Sequence, residues 1–293
     1  MDAIAAAELE ERVGHPGEKY DALAERIQDE VIELFAEVQH QWLDLMWTLD
    51  AYRVAGVPPR GMGKPSSAPT ARLAAVYRGK GNWFSNVLGL LLQNQTSQNV
   101  ASRGQVQGFS QPFQIDLAWP ARKHDPIVCG ESKVSGAPAY GSTPERSPMA
   151  DFVNRRKELK FLATDLKLYR RQHKTKIQHW DVWRQKADPK VYTLWGARMT
   201  PKDSVGKLIS EAQALTNTYL DGVGLFAWVE ASTGDRYDPV ALPPAARVAT
   251  LDDVLSRIAN EINDRVGADG KPPAPVVPDE RAVDVDRLAA DKD

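Results

Sequence analysis

Two apolar runs of similar length, Gln111–Trp119 and Pro126–Val134, flank a short polar turn at Ala121–Asp125. Each run has strand length and the segment between them suits a reversal, so the sequence predicts a β-hairpin, its first strand reaching back to Phe109. A hairpin cannot bury its apolar side alone, so this one needs further strands and covering helices. It also carries charge where strands usually carry little: Asp116 in the first run and Glu131-Ser132-Lys133 in the second. Residues two apart in a strand share a face. Glu131 and Lys133 therefore point the same way as Cys129, and Ser132 points away. Asp116, on the neighbouring strand, can reach the Glu131 face.

The flanking sequence predicts the cover. From Glu18 to Tyr52, Leu23, Ile27, Val31, Leu34, Val38, Trp42, Leu45 and Leu49 step by three or four without an intervening Gly or Pro. That pattern reads as one long amphipathic helix or two abutting ones. Val54–Pro69 is a Gly/Pro/Ser-rich loop. Helices follow at 69–78 and at Trp83–Gln95, the latter capped by Asn82. A strand is expected over Asn99–Val106, before the hairpin. Beyond it come a loop at Ser135–Pro148, a long helix at Met149–Lys174, a buried strand at Lys190–Met199, a helix at 202–221, a strand at Val223–Ala231 and a helix at Leu251–Val266. From Gly267 the chain turns to proline and charge, and disorder is expected there. The fold class is therefore α/β: a mixed central sheet flanked by helices, with an N-terminal helical segment. The organisation reads as a helical segment (1–53), a linker with a short helix (54–79), a core (80–266) and a tail (267–293).

The net charge of −2 conceals a strong asymmetry. Residues 51–187 carry 22 Lys and Arg against 8 Asp and Glu, whereas the remainder carries 15 against 31. No acidic residue occurs between 51 and 115. A basic block between acidic ends suits a polyanion such as nucleic acid; its bland counterpart is a solvated basic surface. The single cysteine, Cys129, excludes an intrachain disulfide and a cysteine zinc cluster. No signal peptide is recognisable and the longest strongly apolar stretch, Val87–Leu92, is too short for a bilayer, so the expected setting is the cytoplasm, with no membrane.

Two carboxylates and a lysine on adjoining strands have a specific chemistry. Asp116 and Glu131 offer hard oxygen ligands for Mg²⁺, which keeps several waters of its own. The Ser132 carbonyl could add a further ligand. Lys133 beside them can hold an attacking water and stabilise a pentavalent phosphorane-like transition state. The (D/E)xK triplet alone has little specificity, since the chain repeats it at Glu158–Lys160, Asp165–Lys167, Asp188–Lys190 and Asp269–Lys271. Only Glu131–Lys133 lies within a strand pattern preceded by an Asp-bearing strand.

In that setting residues 80–231 resemble the PD-(D/E)xK nuclease superfamily, which has the restriction-endonuclease-like fold. The resemblance implies a Mg²⁺-dependent DNA endonuclease, with Mn²⁺ as an alternative metal, working in prokaryotic restriction or antiviral defence. It implies metal ligation by Asp116 and Glu131 and a catalytic role for Lys133. Double-stranded DNA is the implied partner, with a homodimer and a partner subunit of a defence system as further associations. The sequence departs from the family where a helix before the Asp strand often brings an acid. Here that helix has Ser85 and Asn86, leaving Gln93, or Glu33 and Glu37 of the N-terminal helix, as substitutes. Two other readings are a non-cleaving nucleic-acid-binding or scaffold protein on the same fold and an RNA-directed nuclease.

Lys80 and Arg103 in the acid-poor segment, and Arg155, Arg156, Arg170 and Arg171 on the long basic helix, are the candidate phosphate contacts. Each is equally readable as part of a solvated face. Trp83, Trp180, Trp183, Trp195 and Trp228 read as core before base-stacking platforms. His173 and His179 have a poor zinc spacing, and His124 reads as a turn residue. Cys129 reads as a buried strand cysteine, and Gly61–Lys64 lacks the spacing of a phosphate loop.

Overall fold

The computed structural model describes residues 2–150, 152–174, 188–243 and 248–274. In chain order the elements are α1 (Asp2–Val13), α2 (Pro16–Asp29), α3 (Phe35–Ala55), α4 (Pro69–Arg78), α5 (Lys80–Thr96), β1 (Ala101–Gln107), β2 (Pro112–Trp119) and β3 (Val128–Ser135). They continue with α6 (Phe152–Lys174), β4 (Lys190–Arg198), α7 (Val205–Thr218), β5 (Gly222–Glu230), β6 (Tyr237–Pro239), β7 (Ala249–Thr250) and α8 (Leu251–Asn263).

The anticipated hairpin forms the last two strands of a three-stranded antiparallel meander, β1–β2–β3. Two crossovers through α6 and α7 then add β4 and β5 in parallel, as connections between parallel strands require. The sheet runs β1-β2-β3-β4-β5-β6, with β7 also pairing with β5. β6 runs antiparallel to β5 and β7 parallel to it.

Alternation along the strands feeds two apolar layers. On one face Cys129, Val191, Ala197, Val223 and Leu225 meet Leu159, Ala163 and Leu166 of α6 and Leu208, Ala212 and Leu215 of α7. On the other, Leu117, Val128, Tyr192, Leu194 and Trp228 meet Leu23, Val38, Trp42, Phe84, Leu88, Leu91, Val254 and Ile258 of α2, α3, α5 and α8. The protein is thus a mixed α/β fold with an N-terminal helical region and a seven-stranded mixed open sheet packed against helices. None of the helices among the described residues is long and apolar enough to cross a membrane.

Three local expectations need revision. The stretch Glu18–Tyr52 contains a real break, because Val31 adopts φ 51° and the chain reverses between α2 and α3. The break is held from a distance: the Asn94 amide donates to the carbonyls of Ile27 (2.9 Å) and Ile32 (2.7 Å). The Asp252 carboxylate accepts the N–H groups of Phe35 (2.6 Å) and Ala36 (3.1 Å), capping α3 where Leu34 offers no side-chain cap. Asn82 is not a cap either; α5 starts at Lys80, directly after α4, with Gly79 in helical geometry between them. Finally, the start of the tail is folded: Gly267 N–H donates to the Lys271 carbonyl (2.9 Å) and Arg122 to that of Pro273 (2.7 Å). Residues 275–293, most of the expected disordered tail, lie outside the described residues.

Candidate active site

The β2–β3 ladder pairs Trp119, Ala118 and Leu117 with Val128, Cys129 and Gly130, and then stops. On the other side of β2, the β1 register skips the Arg103–Asp116 position, where Arg103 has φ 57°. Asp116 therefore sits where β2 is unpaired on both sides. Its carboxylate takes over part of the missing ladder: Oδ2 accepts the Ser132 backbone N–H at 2.9 Å and the Ser132 hydroxyl at 3.2 Å. Gly130 permits this crowding, since a Cβ there would stand 3.3 Å from Leu117.

Ser132 Oγ also lies 2.7 Å from Ser85 Oγ on α5. The helix thus brings a hydroxyl, not a carboxylate, to the Asp116–Ser132 pair. The substitutes do not arrive either: Gln93 is exposed, and Glu33 and Glu37 belong to the α2–α3 turn and the first turn of α3, outside the cleft lining.

On the opposite face of β3, Lys133 Nζ lies 2.6 Å from Glu131 Oε2. Glu131 is buried, and its pKa is raised, chiefly by that burial; Lys133 pulls the other way, and the Asp116 charge raises it further. Across the β3–β4 ladder, Glu131 is in register with Thr193, which is buried and whose Oγ1 has no hydrogen-bond partner. A buried hydroxyl beside the carboxylates with no protein partner is suited to hydrogen-bond a polar ligand or a water.

Asp116, Ser132, Lys133 and Thr193 open into a cleft of about 580 Å³, lined also by Arg53, Arg78, Lys80, Arg146 and Arg155, whereas Glu131 lies outside the lining. The cleft lies at the C-terminal end of β3, beside the middle of β4; strand C-termini are where α/β sheets commonly hold ligands. Phe152 and Trp195, stacked at 5.1 Å, form part of its wall, and the Trp195 indole donates to Ser135 Oγ at 2.7 Å. Trp195 and Trp228 are buried, as core tryptophans.

The candidate phosphate contacts separate clearly. Lys80 lies in the cleft, and so does Arg155, which pairs with Glu158 at 2.7 Å. Arg103 is exposed, outside the cleft lining, and donates to Gln114 at 3.1 Å. Arg156 faces α7, where it meets Glu211 at 3.2 Å. Arg170 and Arg171 fall in the last turns of α6, and their side chains, like Trp180, Trp183 and His179, lie outside the described residues. Arg53, Arg78 and Arg146 were not anticipated as site residues; they converge from α3, α4 and the β3–α6 loop, and only the basic bias of the segment signals them.

The other triplets have other partners. Asp165 accepts from the Ser110 N–H and hydroxyl, Lys167 pairs with Asp221 at 2.6 Å, and Asp188 with Arg265 at 2.9 Å. His124 lies 2.9 Å from the Tyr169 hydroxyl, on the turn, and Cys129 is buried. Among the described residues no three His, Cys, Asp or Glu side chains form a metal cluster. Asp116 is the carboxylate that lines the cleft, and Glu131 stands buried behind Lys133, so few protein oxygens reach the cleft, which suits a cation retaining most of its own water. The orphaned Thr193 hydroxyl is compatible with such a water shell.

No family model, curated protein or solved structure matches this chain.

Proposed function

We propose that the chain is a Mg²⁺-dependent nuclease of the PD-(D/E)xK type that hydrolyses phosphodiester bonds in DNA. The reading rests on one observation: Asp116 stands at a gap in the β2 ladders beside Glu131 and Lys133, in a cleft walled by five further cations. The order of elements supports it as well. An antiparallel meander bearing the carboxylates, followed by two parallel crossovers, agrees with the restriction-endonuclease-like architecture to which residues 80–231 bear a resemblance.

Asp116 and Glu131 would hold the metal, and Mg²⁺ when bound supplies Lewis-acid neutralisation of charge at the scissile phosphate. Ser132 orients Asp116 through its N–H and hydroxyl, fixing one carboxylate oxygen. Lys133 is held by Glu131 with its remaining protons available to an attacking water or a non-bridging phosphate oxygen. Hydrolysis adds water across one P–O ester bond: the water oxygen joins phosphorus, and a proton goes to the departing ester oxygen. Lys80 and Arg155 contribute backbone attraction without reading base sequence. With one such site per chain, cutting both strands together calls for two copies of the protein.

One observation favours a second reading. Ser85 occupies the helix position where an acid often supports the metal, which suits a protein that binds nucleic acid without cutting it. Supercoiled plasmid incubated with Mg²⁺ or EDTA separates the two. Nicking with Mg²⁺ that disappears in Asp116→Ala and Lys133→Ala supports the nuclease; undiminished nicking in both variants sinks it. Binding without cleavage in Mg²⁺ or Mn²⁺ favours the second reading, and cleavage restricted to RNA moves the substrate from DNA to RNA.

A further inference from the structure

At the end of the cleft away from Glu131, the fold gathers positive charge at considerable cost. The Arg53 guanidinium carbon and the Lys80 ammonium each lie 4.3 Å from the centroid of one ring, that of Tyr77. The two cations are therefore within twice that distance of each other. Arg53 also lies over Tyr140 at 5.7 Å, and its Nε is buried without a hydrogen-bond partner. Lys80 spends two of its three protons on the Tyr77 hydroxyl (3.1 Å) and the Gly136 carbonyl (3.0 Å). Burial, with repulsion from Arg53, Arg198 and Arg146, pulls its ammonium down to about 8, against the attraction of Asp50.

The neighbouring carboxylates are already engaged. Asp50 accepts from the Tyr237 hydroxyl and lies 3.6 Å from Arg198 Nε. Glu145 and Glu230 pair with the same arginine at 2.7 and 3.4 Å. Their ion pairs go to Arg198, and only the Asp50 charge also reaches Lys80, while Arg53 and Lys80 both line the cleft. A desolvated like-charge pair with an unmet buried donor is stabilised by an incoming anion.

We propose that Arg53 and Lys80, with Arg146 at the rim, form a phosphate-binding subsite that holds a non-scissile phosphate of the same nucleic-acid strand whose neighbouring linkage is presented to Asp116, Glu131 and Lys133. The proposal rests on the nuclease reading for its ligand, but the subsite itself is defined by its cations. It gives the N-terminal helical region a direct part in substrate binding through α3.

Titration calorimetry with inorganic phosphate, in EDTA, tests the subsite without catalysis. One phosphate should bind, with affinity reduced at least tenfold in Arg53→Gln and in Lys80→Gln and retained in Lys80→Arg. The Lys80→Arg and Lys80→Gln pair separates charge from folding defects. In parallel, the log–log salt slope of DNA binding should become shallower by about 0.9 in Lys80→Gln, the loss of one phosphate contact. No phosphate binding, or binding lost in Lys133→Ala but untouched by both Arg53→Gln and Lys80→Gln, overturns the subsite. Plasmid cleavage is scored separately: phosphate binding that follows Arg53 and Lys80 in a protein that never cuts retains the subsite and removes the nuclease reading.

Discussion

Asp116 is bound to Ser132 twice, through the backbone N–H at 2.9 Å and through the hydroxyl at 3.2 Å, and this substitutes for the ladder pairing that β2 and β3 abandon at that point. The carboxylate is thereby oriented by the strand that carries Glu131 and Lys133. Ser132→Ala removes the weaker of the two bonds and the contact with Ser85. We expect a stability loss of about 1 kcal/mol in urea denaturation, the usual net worth of such a bond. Cleavage should fall, but less than in Asp116→Ala, because the N–H bond persists. Equal losses in the two variants would show that the hydroxyl does more than orient.

Removing Lys133 takes away the amine nearest the carboxylates while leaving a half-exposed position that water can fill. Lys133→Ala should lower the plasmid nicking rate by about 100-fold or more, in the range of other lost transition-state donors, with unchanged circular dichroism. Wild-type nicking in this variant would remove the lysine from the chemistry.

Two neighbouring carboxylates, one of them buried, destabilise each other until a cation arrives. Mg²⁺ or Mn²⁺ at 100 times its dissociation constant should therefore stabilise the fold by about 2.7 kcal/mol, through linkage alone. Thermal melts read this as a rise in midpoint that EDTA abolishes. The rise should be lost in Asp116→Ala and in Glu131→Gln, and a persisting shift in both variants places the ion elsewhere.

Lys80 supplies a pH signature. It is faced by Asp50 and Arg53 of α3, Tyr77 of α4, Arg146 of the β3–α6 loop and Arg198 of β4, and burial is the largest reason its pKa falls from 10.5 to about 8. Between those two values the unfolded chain binds a proton that the folded chain has released. Stability attributable to Lys80 therefore rises with pH across that window and is lowest below it. Lys80→Gln removes this contribution. The change in urea midpoint between about pH 7 and about pH 9.5 should be smaller, or more negative, in the variant than in the wild type. Identical pH profiles would show that the lysine is not desolvated.

Away from the cleft, Lys167 is 1% exposed, and its ammonium meets Asp221 at 2.6 Å. Asp221 also accepts the Val191 N–H at 2.8 Å, so it joins α6 to the start of β4. Asp221→Ala takes this carboxylate from a buried cation and should cost about 3–5 kcal/mol in denaturant unfolding. A loss below about 1 kcal/mol, the range of exposed pairs, would mean that Lys167 escapes to water.

What the sequence made legible follows from where the information resides. Strands β2 to β5 and helices α5 to α7 announce themselves through local period and apolar content, and the carboxylates could be placed because they interrupt that pattern. The break at Val31 was hidden because the groups that stabilise it, Asn94 and Asp252, lie 63 and 221 residues farther along. Asn82 looked like a cap because nothing local reveals that Gly79 continues the helical path. The cleft cations were visible only as a compositional bias. Arg53, Lys80 and Arg146 belong to three separate segments, and only the packing that sets α3 and the start of α5 beside the β3–α6 loop brings them together.

Helix α3 is fastened at both ends by residues near the other end of the chain: Asp252 caps its first turn, and Tyr237 with Arg198 grips Asp50 near its last. Those fasteners lie about 150 residues or more beyond α3 in the sequence. A chain cut short of residue 198 therefore carries α3 without either of these fasteners, and with it an Arg53 wall held only by its neighbouring helices.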